Sequence, residues 1–70
     1  MKKKIRVVQY GVGPIGASIV RLMRQKASLE IVGAIDKDPS KVGRDLGEVI
    51  GAPDAPWGVT ILADAAAMLE

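Results

Sequence analysis

Apolar and polar residues along this 70-residue chain fall into blocks whose period changes several times. Residues 5–10 (I-R-V-V-Q-Y) are rich in β-branched side chains and end at glycine, which predicts a short buried strand. From 14 to 27 the period becomes helical. Ile15, Ile19, Leu22, Met23 and Lys26 recur at i, i+4, i+7, i+8 and i+11, flanked by Gly16, Val20 and Ala27, with Ser18, Arg21 and Gln25 opposite. Pro14 suits a first helical turn, where its missing N–H would have no partner anyway. Arg24 and Lys26 are expected in the last turn, complementing the helix dipole. Residues 29–35 (L-E-I-V-G-A-I) predict a second strand closed by Asp36. A short helix over 40–50 follows the Asp38-Pro39 break, weakened by Gly43 and Gly47, each costing up to ~1 kcal/mol against alanine. Residues 51–56 are turn-rich, 58–63 (G-V-T-I-L-A) predict a third strand, and Asp64 is expected to cap a final helix in A-A-A-M-L-E.

The order β-α-β-(α)-β-α, with strands apolar on both faces, implies an α/β fold with a parallel sheet covered on two sides and right-handed crossovers. This is half of a doubly wound sheet. Residues 1–70 are therefore expected to be the N-terminal portion of a longer nucleotide-binding domain, its second half and a substrate domain lying beyond. The first strand is central in such a sheet. Without the second half its edge and an apolar margin are exposed, so a homo-oligomer or self-associating chain is expected.

Composition narrows the chemistry. There is no cysteine and no histidine, which excludes disulfides, thiolate nucleophiles, zinc-thiolate sites and imidazole bases. The net charge of +2 comes from mixed charges, and Lys2, Lys3 and Lys4 form the sole basic run. Tyr10 and Trp57 lie far apart and make no stacking platform for nucleic acid. The apolar stretch after the lysines is too short and too charged for a signal peptide, and no run approaches the ~18 apolar residues of a membrane span. A soluble cytoplasmic protein is expected. Tyr10 reads as a partly buried strand residue and Trp57 as a packing residue or, in a fragment, an exposed one. Asp38, Asp45 and Glu48 show no paired-carboxylate logic, and no catalytic constellation emerges.

Gly11-Val12-Gly13-Pro14-Ile15-Gly16 fits G-x-G-x-x-G between a predicted strand and a predicted helix, the context in which the pattern marks a dinucleotide site in a Rossmann-type fold. Gly11 would permit the turn, Gly13 would leave bare backbone for a diphosphate, and Gly16 would let the helix pack on the strand. The helix N-terminus offers N–H groups and partial positive charge. Asp36, twenty residues after Gly16, would accept the adenosine ribose hydroxyls and repel a 2′-phosphate, favouring NAD. Lys37 beside it keeps NADP open. The bland readings are a tight turn without ligand, an acid before an Asp-Pro turn, and, for Lys37 and Lys41, solvated surface lysines.

The stretch V-V-Q-Y-G-V-G-P-I-G, with L-E-I-V-G-A-I-D-K-D-P-S-K-V-G-R-D-L-G-E-V-I-G, resembles the N-terminal nucleotide-binding domain of the dihydrodipicolinate reductase-like oxidoreductases. Within that group it is most similar to 2,4-diaminopentanoate dehydrogenase and its relatives. The resemblance is good over residues 5–51 and thinner from 57 to 70. It implies that Gly11, Gly13, Pro14, Ile15 and Gly16 form the dinucleotide loop and that Asp36, with Lys37, reads the adenosine ribose. Dihydrodipicolinate reductase proper carries a G-A-x-G-x-M-G type loop. Pro14-Ile15 depart from it, which favours an amino-acid dehydrogenase branch acting on a carbon–nitrogen bond. The family's substrate and proton-transfer residues lie in a later domain and map to none of these seventy. Two other readings share the motif: a non-catalytic module sensing NAD or an adenine nucleotide, and an S-adenosylmethionine-dependent methyltransferase fragment.

Overall fold

The computed structural model describes residues 4–64 and residue 66. Its elements run β1 (Ile5–Tyr10), α1 (Pro14–Arg24), β2 (Leu29–Ile35), α2 (Leu46–Val49) and β3 (Ile61–Leu62). The three strands form one parallel sheet in the order β1-β2-β3. This is the half-Rossmann arrangement that the alternating periods imply. The final helix expected after Asp64 falls outside the described residues but for Ala66.

β1 and β2 pair from Ile5↔Leu29 to Tyr10↔Ile35, with an irregularity that sets Val7 against Ile31 but Val8 against Gly33. At the loop end, the Gly11 N–H donates to the Ile35 carbonyl at 2.8 Å. That bond pins the start of the glycine loop to the end of β2.

The helix turns a different face inward from the one its apolar stripe suggests. Val20 is fully buried and Gly16, Ala17 and Met23 are half-buried, whereas Ile15, Ile19 and Leu22 are 79%, 43% and 60% exposed. Gly16 sets this rotation. A methyl group there would lie 2.2 Å from the Gly11 carbonyl oxygen, so residue 16 is the point of closest approach to the loop. Positions 20 and 23 follow it at i+4 and i+7. α1 also ends at Arg24 rather than Ala27, with Gln25 and Lys26 donating back to Leu22 and Met23 in tight turns. Arg21 and Arg24 therefore occupy the last turn, and Lys26 lies beyond it.

The helix expected over 40–50 is reduced to four residues. Gly43 adopts φ 86°, outside helical space. Its N–H donates to the Ile61 carbonyl, the Ile61 N–H to Arg44, and the Leu46 N–H to Val59. This exchange, with the Asp45–Thr60 bridge, shortens β3 to two residues of the six expected. α2 is capped by Asp45, whose carboxylate accepts from the Glu48 N–H at 3.1 Å. The same carboxylate accepts from the N–H groups of Trp57, Gly58 and Val59. Asp45 is a structural anchor that a search for paired carboxylates does not find.

Val12, Val20, Ile31, Ala34, Leu46, Ile50, Val59 and Ile61 form the core. It is shared by α1, the sheet and the segment around α2. Trp57 packs against it as expected, lying over Gly47, where a methyl group would come within 2.7 Å of the indole. The Arg24 guanidinium lies over the indole, 4.6 Å from the ring centre, and pairs with Asp54 at 3.5 Å. Coverage of both sheet faces is not seen among the described residues. The alternate β1 positions Arg6, Val8 and Tyr10 are exposed, as is Val32. Tyr10, expected to be partly buried, is 65% exposed.

Candidate dinucleotide site

The site lies where β1 and β2 end and α1 begins. Each glycine of the loop can be tested against the demands of the fold itself. Gly11 has φ 88°, a conformation that disfavours any residue with a Cβ. Gly16 is required by its approach to the Gly11 backbone. Gly13 meets neither demand. Its φ is −83° with ψ −170°, ordinary extended backbone, and a methyl group there would touch nothing within 4 Å. Protein packing gives no reason for glycine at 13, whereas the backbone at this position stays bare and open to an approaching group.

Gly13 is also the N-cap of α1 and carries no side-chain cap. The first intrahelical bond runs from the Ala17 N–H to the Gly13 carbonyl at 2.8 Å. The N–H groups of Ile15 and Gly16 thus precede the hydrogen-bonded ladder, and Pro14 has none to offer. Uncapped donors together with the positive end of the helix dipole suit a phosphate. A shallow hollow of about 380 Å³ lies against this turn, lined by Tyr10, Gly11, Gly13, Pro14, Ile15 and Ile19 among others. A second, of about 450 Å³, lies on the other side of the loop, against Val12, Gly13, Ala17, Lys41 and Val49. A larger hollow of about 590 Å³ sits at the opposite end of the sheet, around Lys4, Arg24, Glu30 and Trp57, and shares no residue with the loop. The backbone donors of the first helical turn lie at the glycine loop and not at the larger hollow.

Asp36 stands at the end of β2. One carboxylate oxygen accepts from the Val12 N–H at 2.7 Å, the other from the Asp38 N–H at 2.9 Å. These N–H groups, Asp38 first and then Val12, hold its pKa below the usual carboxylate value against the opposing effect of burial, and Lys41 adds to the lowering. Asp36 is therefore an anion at neutral pH. It braces the loop with only 16% of its side chain exposed, and a carboxylate oxygen can accept a second hydrogen bond. Lys37 is exposed. The side chain that reaches the carboxylate is instead that of Lys41, its ammonium 3.9 Å from Asp36 and 2.8 Å from the Val12 carbonyl.

Lys41 departs from the solvated surface lysine expected: only 25% of its side chain is exposed. The turn before it accounts for this. The Asp38 carboxylate accepts both the N–H and the hydroxyl of Ser40, at 2.9 and 2.8 Å, and the Lys41 N–H donates to the Asp38 carbonyl. The chain folds back toward the loop as a result. The D-P-S turn was legible in the sequence, but the direction in which it aims Lys41 was not. Among the described residues, no group of three or more His, Cys, Asp or Glu could hold a metal ion, and no helix is long and apolar enough to cross a membrane.

No family model matches the chain. It is similar to curated proteins named 4-hydroxy-tetrahydrodipicolinate reductase. The match to that of Synechocystis sp. is 40% identical over 63 residues, covering 90% of this chain and 22% of the relative. That of Cyanothece sp. is 38% identical over 63 residues, with the same coverage. That of Picosynechococcus sp. is 41% identical over 49 residues, covering 69% of this chain and 18% of the relative. The chain thus spans about a fifth of the length of the relatives it matches. Across nine-tenths of its length it is homologous to the N-terminal region of 4-hydroxy-tetrahydrodipicolinate reductase.

Proposed function

We propose that this chain supplies the ADP-binding half of an NAD(P)-dependent oxidoreductase that acts on a carbon–nitrogen bond of a small cyclic imine or amino acid. The observation that carries the reading is Gly13, a glycine that neither backbone conformation nor packing demands. It sits at an uncapped helix N-terminus beside an ionised Asp36. A diphosphate placed there would meet backbone donors and no side chain, while Asp36 would accept hydroxyls of the adenosine ribose. Gly11, Pro14, Ile15 and Gly16 shape and support that cradle, and Lys37 stands at its rim.

A bound nicotinamide dinucleotide would supply the hydride. The residues of this chain bind and orient its adenosine diphosphate moiety. On this reading no residue of these seventy binds substrate or donates a proton. The similarity to reductases supports reduction of a cyclic carbon–nitrogen double bond as the leading reaction class. Pro14-Ile15, which depart from the reductase loop type, support oxidation at the carbon–nitrogen bond of a small diamino acid as the second reading.

Calorimetric titration of the protein with ADP, NADH, NADPH and S-adenosylmethionine tests the proposal. Saturable binding of ADP and of at least one nicotinamide dinucleotide is expected, without binding of S-adenosylmethionine. Tight binding of S-adenosylmethionine with none of NADH or NADPH would overturn it in favour of a methyltransferase. Binding of ADP alone, with no preference for a dinucleotide, would favour an adenine-nucleotide sensor.

A further inference from the structure

Three consecutive peptide units carry the chain from β1 to α1, and the fold holds them differently. In the unit joining Tyr10 to Gly11, the carbonyl accepts from the Gln9 side-chain amide at 3.2 Å and the N–H donates to the Ile35 carbonyl at 2.8 Å. In the next unit, the Gly11 carbonyl accepts from the same Gln9 amide at 3.2 Å and the Val12 N–H donates to Asp36 at 2.7 Å. Both units are gripped at both ends. In the third, the Val12 carbonyl accepts from the Lys41 ammonium at 2.8 Å. The other end of that unit is the N–H of Gly13, which belongs to the N-cap and precedes the helical ladder. Gly13 is also the glycine that neither packing nor conformation demands.

A trans peptide is planar, and its C=O and N–H point in opposite directions. The unit joining Val12 to Gly13 is trans, so whatever holds its carbonyl also aims its N–H. Lys41 is suited to hold it. Its side chain is three-quarters covered, and the turn at Asp38-Ser40 fixes its backbone. It lines the hollow of about 450 Å³ and is absent from the lining of the other hollow, of about 380 Å³, which Gly13 shares. An ammonium on the carbonyl also polarises the unit, which makes the N–H at its far end a stronger donor. We propose that Lys41 is a positioning residue: it touches no phosphate itself, and by holding the Val12 carbonyl it aims the Gly13 N–H at the diphosphate. The proposal rests on the dinucleotide-binding reading above and adds which donor the phosphate takes and what sets its direction.

Two measurements test it. The first is an ADP titration of the ¹⁵N-labelled parent protein followed by NMR, in which the Gly13 amide proton should move downfield as it gains a phosphate acceptor. The second is a double-mutant cycle of Lys41→Met with Gly13→Ala, read by calorimetry with ADP, NADH and NADPH. Lys41→Met alone should weaken all three alike, by about 5- to 50-fold, a large part of one charge-assisted bond. Gly13→Ala already holds the diphosphate off that N–H, so in its background Lys41→Met should cost less than about twofold. Lys41→Arg keeps a charged donor for the carbonyl and should stay within about threefold of the parent.

Equal cost of Lys41→Met in both backgrounds would overturn the proposal, because Lys41 would then act on the ligand without Gly13. Loss confined to one of the two dinucleotides would overturn it too, since the diphosphate is common to both. A Gly13 amide that stays in place while ADP saturates the parent would overturn it with no variant needed, whatever Lys41→Met does to folding. A parent that binds neither ADP nor a dinucleotide would instead overturn the dinucleotide reading itself, and this inference with it.

Discussion

Gly13 and Gly16 should separate binding from folding. A methyl group at position 16 would sit 2.2 Å from the Gly11 carbonyl oxygen and 3.0 Å from its carbon, where carbon contacts prefer about 3.5–4.0 Å. That backbone cannot retreat easily, because the Gly11 N–H is bonded to Ile35 and the Val12 N–H to Asp36. Overpacking of this kind costs about 1–3 kcal/mol or more, against a gain of at most ~1 kcal/mol in helix propensity. Gly13→Ala meets no atom within 4 Å and keeps φ −83°. It gains about 0.4–1 kcal/mol through the unfolded chain and loses a few tenths as an N-cap, so its net effect on folding should be within about 0.5 kcal/mol. On binding the order reverses. The added methyl would hold a diphosphate away from the N–H groups of the first turn. Losing one charge-assisted bond, worth about 1.5–3 kcal/mol, weakens binding by about 10- to 150-fold. Urea denaturation and NADH titration on both variants make the comparison. A folded Gly13→Ala protein that binds NADH as tightly as its parent would refute the assignment of Gly13 to a ligand. A Gly16→Ala protein of unchanged stability would refute the packing argument.

Asp45→Ala should lower stability by about 2–3 kcal/mol, since it removes an N-cap and leaves the N–H groups of Trp57 and Val59 without their acceptor. Urea midpoints and the emission of the single tryptophan report it, and an unchanged midpoint would contradict the anchoring role. Acid should destabilise the fold through Asp36 and Asp45. Burial opposes ionisation of Asp45, but the N–H groups of Trp57, Glu48, Val59 and Gly58 outweigh it and hold its pKa low; Asp36 is lowered chiefly by the N–H groups of Asp38 and Val12. A depressed carboxylate stabilises the fold above its unfolded pKa of about 3.9, and that contribution disappears as pH falls through the lower folded value. Stability measured from pH 6 down to 2 should fall below about pH 4, less steeply in Asp45→Asn; equal slopes would sink this account. Finally, the exposed Ile15, Ile19 and Leu22 stripe beside the β1 edge should promote self-association of the 70-residue chain. Leu22→Lys should move its sedimentation toward the monomer, whereas an unaffected oligomer would place the contact elsewhere.

The elements that could be read from the sequence are those whose signals are local. β1 and β2 announce themselves as short β-branched runs, α1 by its period and Pro14, and the loop by glycines at a strand-to-helix boundary. Asp36 follows from its place at the end of β2. A strand must end, a helix must begin, and residues near in sequence settle both. Tertiary contacts decided the rest. The α1 stripe of Ile15, Ile19 and Leu22 is the most apolar face, yet the helix turns Val20 inward because Gly16 alone can approach the Gly11 carbonyl. The helix expected over 40–50 yields to backbone exchange with residues 59–61, partners that lie far away in sequence. Lys41 reaches Val12 across twenty-nine positions, and no periodicity encodes such a contact. A sequence states propensities over a few residues, whereas the charge environment of Asp36 depends on where a distant turn aims one lysine, and only the folded chain specifies that direction.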